Sequence, residues 1–124
     1  MQGFLAVMAG GAIGAGFRHL VGIGALRIFG VGFPVGTLTV NIVGSFLMGV
    51  LVTAVLTRLP EAEWRLFLAT GVLGGFTTFS SFSLDVAFLW ERGESSTAAI
   101  YIVASVVVSI AAIFAGLALG RMAS

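Results

Sequence analysis

Four long apolar segments, separated by short polar connections, constrain the fold of this chain more than any other feature. They cover residues 3–29, 35–57, 64–90 and 96–120. Each exceeds the roughly 20 residues that an α-helix needs to cross the hydrocarbon core of a bilayer. We therefore expect an all-α membrane protein with four transmembrane helices, which form a single four-helix domain over residues 1–124.

The composition supports this class and excludes several others. Hydrophobic residues make up 59% of the chain and charged residues only 9%, which is too little charge for the surface of a soluble domain. The net charge is +1 without any basic run, so no nucleic-acid partner is expected. The lack of cysteine excludes disulfides and thiolate metal sites. No constellation of His, Asp and Glu supports catalysis, so we do not expect an enzyme.

The arginines carry almost no signal for orientation, although cytoplasmic loops normally hold the excess of positive charge. With both termini on one side, the two sides hold nearly equal numbers: Arg58, Arg65 and Arg121 against Arg27 and Arg92, plus Arg18 if its side chain extends that way. Two interpretations remain open. The chain inserts in one weakly biased orientation, or it inserts in both and forms an antiparallel dimer with inverted symmetry.

The third segment contains an unusually polar stretch, Gly71 to Ser83, in the sequence GVLGGFTTFSSFS. Gly74 and Gly75 each weaken a helix by about 1 kcal/mol relative to alanine. The threonines and serines that follow can bond to backbone groups released by a break. We therefore predict that the third helix is broken within the membrane. Freed carbonyls can coordinate a small cation, and the restarting half-helix can offer amides to an anion.

Phe79 and Phe82 lie three residues apart in this stretch and therefore share one helix face. A phenyl ring has a positive edge, so the pair can stabilise a small anion weakly enough to release it. The alternative is that the rings fill the core and that hydroxyls, including Ser80 and Ser83, hold helices together. Because glycines, hydroxyls and rings occur together, we favour an anion pathway along Phe79 to Ser83.

Polar side chains also occur in the second and fourth segments. Asn41 needs a hydrogen-bond partner inside the membrane, which is either another helix or a pore. Tyr101 fits a pore lining or an interfacial aromatic belt, and Ser109 fits a pore lining or a bond to its own helix. For Ser105 we favour the bond to its own helix. The pair Gly116 and Gly120 favours close helix packing.

The first segment carries glycines and two side chains that can be charged. Gly10 and Gly14 form a small-xxx-small pair that permits close helix packing. Arg18 either extends to the membrane surface or attracts anions into an aqueous vestibule. His19 is interpreted as an interfacial side chain, since the sequence contains no second histidine to partner it.

Asp85, near the end of the third segment, is interpreted as a partner of Arg18 or as an interfacial residue. A proton-coupled cation antiporter of the small multidrug type needs a carboxylate deep in the membrane. Asp85 is the only candidate in the four segments, which argues against that function. A third hypothesis is a structural membrane protein without transport, but it does not explain why the third segment is polar.

Two strings carry a resemblance that extends over essentially the whole chain. Gly36 to Gly44, GTLTVNIVG, and the Gly71 to Ser83 string resemble the Fluc/CrcB family of fluoride channels. Arg18 and the Tyr101, Ser105 and Ser109 pattern of the fourth segment do so as well. The second string is highly specific for that family.

The resemblance implies passive export of toxic fluoride by an antiparallel, dual-topology homodimer in the lipid bilayer of the cell inner membrane. It implies two fluoride pores with Phe79 and Phe82 turning ring edges to the ion. Asn41, Tyr101 and Ser109 are further pore residues on the same ground, so a pore contact is now favoured for Asn41.

The resemblance also implies a cofactor, a structural sodium ion (Na+) that is not transported. Its ligands at the dimer centre are the backbone carbonyls of Gly74 and Thr77 from both subunits. With the resemblance, dual topology is favoured over a single orientation. The resemblance does not assign roles to Arg18, His19 and Asp85, and our own hypothesis is that Arg18 raises the anion concentration in an aqueous vestibule.

Overall fold

The computed structural model describes residues 2–123, and the regular secondary structure in that range is helical. α1 spans Gln2–Phe29, α2 spans Val35–Arg58 and α5 spans Ser95–Ala123. The third helical region, Ala62–Glu91, consists of α3 over residues 62–76 and α4 over Phe79–Glu91. Four helical regions are thus long and apolar enough to cross a membrane, which confirms the prediction.

Glycine and proline set the ends of these helices. Gly30 follows α1 with φ +76°, and Gly93 follows α4 with φ +79°, a backbone region that side-chain-bearing residues rarely adopt. Pro34 directly precedes α2, and Pro60 lies in the connection between α2 and α3. The connections are therefore short turns, and the helices account for almost all of the described chain.

Part of α2 and part of α3 depart from α-helical geometry. α2 is α-helical over Val35–Val50, π-helical over Leu51–Val55, and ends in a 3-10 turn, Leu56–Arg58. α3 begins as an α-helix, Ala62–Arg65, continues as a π-helix, Leu66–Leu73, and ends with the turn Gly74–Phe76. Wide helical turns of this kind are rare and are often found near functional sites.

Two glycine seams bring helix backbones into direct contact. In the first, between α1 and α3, a Cβ on Gly10 would overlap the Phe67 carbonyl and one on Gly14 the Val72 carbonyl. In the second, between α2 and α5, a Cβ on Gly116 would overlap the Phe46 carbonyl. These contacts confirm the close packing predicted from the glycine pairs, because only a missing side chain allows it.

Two residues between α3 and α4 leave helical geometry. Thr77 has φ −86° and ψ 159°, and Thr78 has φ −153° and ψ 123°, so both are extended. The Thr78 Oγ1 accepts a hydrogen bond from the Ser81 amide at 3.1 Å and caps the start of α4. Gly74 and Gly75 themselves remain helical, and a Cβ on Gly75 would lie 2.6 Å from the Gly11 carbonyl oxygen of α1.

Candidate functional site

Asn41 of α2 binds the backbone of the interruption at two points. Its Oδ1 accepts from the Thr78 amide at 2.8 Å, and its Nδ2 donates to the Thr78 carbonyl at 2.9 Å. In a continuous α-helix the Thr78 amide would donate to the Gly74 carbonyl instead. Asn41 therefore has a hydrogen-bond partner on another helical region, the Thr78 backbone, which is one of the two alternatives predicted for it. The second hydrogen of Nδ2 is left for another acceptor.

Arg18 of α1 reaches the other side of the interruption. Its Nε donates to the Gly75 carbonyl at 3.0 Å, where a continuous helix would place the Phe79 amide. The guanidinium also lies near the end of α3, where the backbone carbonyls carry partial negative charge. Arg18 is half-buried and thus points into the protein rather than only to the membrane surface.

Arg18 also lines a cleft of about 450 Å³, which we call the charged cleft. Its polar lining residues are Arg18, His19, Thr37, Thr78, Ser81, Asp85 and Arg92. Arg92 forms an exposed ion pair with Glu94, at 2.9 Å from its Nε, which partly neutralises its charge. His19 is exposed at the side of this cleft, in keeping with an interfacial position. The vestibule residue predicted from the sequence therefore lies in a concavity lined by two arginines and one carboxylate, Asp85.

A second cleft of about 330 Å³, the hydroxyl cleft, lies on the other side of Thr78. It is lined by Asn41, Ser45, Thr77, Thr78, Phe79, Phe82, Ser105, Val106, Ser109 and Ile110. It brings together four of the predicted pore residues, namely Asn41, Phe79, Phe82 and Ser109.

Two hydroxyls of this cleft lack a protein partner. The Oγ atoms of Ser105 and Ser109 are buried without any hydrogen bond among residues 2–123. The expected bond between Ser105 and its own helix is therefore wrong. Buried hydroxyls are normally satisfied by protein or water, so these two point to a hydrated or ion-binding space. Their i, i+4 spacing on α5 is the sequence signal that could have identified Ser105 as a site residue.

The two phenylalanines of the cleft differ in burial. Phe82 is 8% exposed and Phe79 is 76% exposed. Their ring centroids are 5.5 Å apart with an interplanar angle of 54°, so the rings are tilted rather than stacked. Phe79 is thus available to a partner outside this chain, whereas Phe82 is held inside the bundle.

Tyr101 packs against the Phe82 ring and lines neither of the two clefts. It is fully buried, and its ring centroid lies 5.2 Å from that of Phe82 and 5.4 Å from that of Phe33. Its hydroxyl donates to Asp85 Oδ2 at 2.9 Å. Tyr101 is therefore not part of an interfacial belt. The predicted pairing of Asp85 with Arg18 is also wrong, because the side chain bonded to Asp85 is Tyr101.

Ser80 and Ser83 lie on the exposed surface of α4, outside both clefts. The Ser83 hydroxyl donates to the Phe79 carbonyl at 3.0 Å, and the Ser80 hydroxyl lies 3.3 Å from Thr78 Oγ1. Both hydroxyls thus have partners close in sequence.

The backbone at Gly74 and Thr77 was predicted to bind a cation. The Thr77 amide and its Oγ1 both donate to the Leu73 carbonyl, each at 3.1 Å. The amide that would normally occupy the Gly74 carbonyl is bonded to Asn41. Across the described part of the chain, no cluster of three His, Cys, Asp or Glu residues could hold a metal. Backbone carbonyl oxygens are therefore the candidate ligands for a cation.

These features define a multi-pass membrane protein in which an interrupted helix meets two polar clefts, an arrangement typical of proteins that move small ions. The chain belongs to the CrcB family, since residues 5–117 match the family model described as CrcB-like protein, Camphor Resistance (CrcB). This is a family of ion channels and not of enzymes.

Three relatives illustrate the similarity over nearly the full length. A protein of Agrobacterium fabrum is 66% identical over 116 residues, which cover 93% of each chain. Proteins of Chelativorans sp. and Mesorhizobium japonicum are 57% and 54% identical, with 98% of each chain covered. All three are named fluoride-specific ion channel FluC.

Proposed function

We propose that this protein is a fluoride-specific channel that lets fluoride leave the cell passively and so reduces fluoride toxicity. The observation that carries the proposal is the hydroxyl cleft, where Asn41, Phe79, Phe82 and two unsatisfied serine hydroxyls meet. Hydroxyls, an amide hydrogen and ring edges can replace the hydration shell of a small anion. None of the groups that line the cleft is a cation, so binding stays weak enough for release.

Fluoride would follow a path from the charged cleft, past Thr78, into the hydroxyl cleft. Thr78 lines both clefts, which supports a continuous route. Ser80, Ser83 and Tyr101 would then act next to the path rather than on its wall, with Tyr101 holding Phe82 in place. A proton-coupled antiporter is less well supported, because the Asp85 carboxylate is already hydrogen-bonded to Tyr101.

The proposed functional unit is an antiparallel, dual-topology homodimer in the cell inner membrane, with the third helix broken at membrane depth. The nearly balanced arginines support dual topology. The exposure of Phe79 supports a second subunit, because a ring that lines a pore needs a wall opposite it.

We also propose that a structural sodium ion joins the two interruptions at the dimer centre. The residues fit this ion, because Gly74 is exposed and its carbonyl has lost the usual amide donor to Asn41. The carbonyls of Gly74 and Thr77 from both subunits would hold the ion, and the ion supplies a fixed positive charge. Crystals in which sodium is replaced by an anomalously scattering monovalent cation should show one peak on the dimer axis. The absence of a peak would contradict the sodium site.

The proposed function is tested with purified protein in liposomes loaded with potassium fluoride or potassium chloride. A potassium ionophore lets potassium leave with the anion, so that no membrane potential builds up to stop the efflux. Ion-selective electrodes record the release. We expect rapid loss of fluoride and retention of chloride, with protein-free liposomes as the control. Retention of fluoride by liposomes that contain folded wild-type protein would refute the function.

Arg18→Gln should slow fluoride efflux several-fold at low ionic strength, with a smaller loss at high salt. The physical reason is that Arg18 lines the charged cleft and raises the local anion concentration, an effect that salt screens. Arg27→Gln is the matched control, because Arg27 is on the same helix but outside the cleft. Unchanged low-salt efflux for Arg18→Gln would exclude the vestibule role.

A further inference from the structure

The Asn41 carboxamide acts on Thr78 as a neighbouring β-strand would. Both bonds, 2.8 Å to the amide and 2.9 Å from the carbonyl, go to one residue. The same pair of bonds joins directly opposed residues in an antiparallel ladder. Thr78 has the extended dihedral angles that this pairing requires. The Asn41 side chain therefore makes the two hydrogen bonds that a paired strand would make, at a residue whose backbone has left the helix.

A glycine on the same face of α2 makes this contact possible. Gly44 lies three residues after Asn41, and a Cβ there would overlap Thr77 Cγ2 and lie 3.3 Å from Phe76 Cδ2. The missing side chain lets α2 approach the interruption closely enough for the short Asn41 side chain to reach Thr78. Without Asn41 the Thr78 amide would be left without a partner, which is costly away from water.

We propose that Asn41 is a positioning residue that sets the direction of the groups on either side of Thr78. The Thr77 carbonyl precedes the clamped residue and the Phe79 ring follows it. Asn41 would thereby govern both the backbone oxygen proposed for the cation and the ring proposed for the anion. This inference rests on the proposed channel function and adds a role that Asn41 exerts through Thr78 rather than on the ion.

The test is a double-substitution cycle on fluoride efflux from liposomes that contain the full-length protein. Asn41→Leu keeps the branched shape but removes both polar atoms. The second change replaces Thr78 by its α-hydroxy acid, so that an ester oxygen stands where the amide N–H was and every side chain remains. We expect the ester alone to slow efflux. The combined loss should then fall short of the product of the single losses by about fivefold or more, as for directly coupled groups.

Fully multiplicative losses would overturn the proposal, because Asn41 and the Thr78 amide would then act independently. Ser45→Ala is the matched control, since Ser45 lines the same cleft one turn further along α2. Its loss should multiply with that of the ester. Rates are divided by the amount of protein that elutes as the wild type does in gel filtration, so lost stability alone does not change them.

Two further outcomes are distinguishable. If Asn41→Leu does not give folded protein, Asn41→Ser takes its place in the cycle and carries the same expectation. Wild-type protein that fails to release fluoride would refute the channel function, and with it this inference. A conducting wild type whose ester variant conducts equally well would refute the inference alone.

Discussion

Phe79→Ile should abolish fluoride efflux while the protein stays folded. The ring lines the hydroxyl cleft and is 76% exposed, so its removal costs little packing within the chain. Isoleucine is also apolar but has no positive ring edge to turn towards an anion. If this raises the barrier by about 3 kcal/mol, efflux slows more than about a hundredfold. A fluoride electrode with liposomes of matched protein content measures the rate.

Phe114→Ile is the control for this prediction. Phe114 is an exposed ring on α5 that lines neither cleft, so its replacement should leave the rate at the wild-type level. Efflux at the wild-type rate from Phe79→Ile would remove Phe79 from the pathway. Equal losses in both variants would indicate a general need for surface rings instead.

Gly14→Ala should prevent the bundle from forming normally. A Cβ at Gly14 would overlap the Val72 carbonyl and lie 2.8 Å from the Phe76 amide nitrogen. Since both neighbours are backbone atoms of α3, they cannot turn aside as a flexible side chain does. Overpacking of this kind typically costs 1–3 kcal/mol, and α1 would have to move away from α3. The measurement is the fraction of protein that survives heating in detergent, followed by gel filtration.

Gly16→Ala on the same helix provides the comparison for Gly14→Ala. Among the described residues, no atom of another helix lies within 4 Å of the Cβ that would be added at Gly16. Alanine is also the better helix former by about 1 kcal/mol, so this variant should be at least as stable as the wild type. Equal thermal survival of the two variants would show that the seam between α1 and α3 tolerates a side chain.

The helices and the seams between them could be predicted because each depends on a pattern within one segment. Hydropathy alone marks the four membrane-spanning regions. Glycines four residues apart, such as Gly10 and Gly14, mark a face on which another helix can pack closely. The same local reasoning drew attention to the third segment, where the structure has its two extended residues, Thr77 and Thr78.

The partners of the polar side chains could not be predicted from the sequence. Arg18 meets the Gly75 carbonyl and Asp85 meets Tyr101, pairs that depend on the relative height and rotation of two helices. The sequence of each helix specifies which face a residue occupies but not what stands opposite. For that reason the sequence left open whether Asn41 contacts a pore or bonds to another helix. The structure shows the bond to another helix, as two hydrogen bonds to the Thr78 backbone.

The two glycine seams also determine when this protein can acquire its tertiary structure during synthesis. They join α1 to α3 and α2 to α5, so each of these four helices has its most extensive contacts with a helix that does not adjoin it in the chain. The first seam has to wait until the ribosome has released the third helical region, and the second until the last helix is made. The early helices therefore enter the lipid before their principal partners exist, as in a two-stage assembly. Premature termination after two helices leaves both without their principal partners.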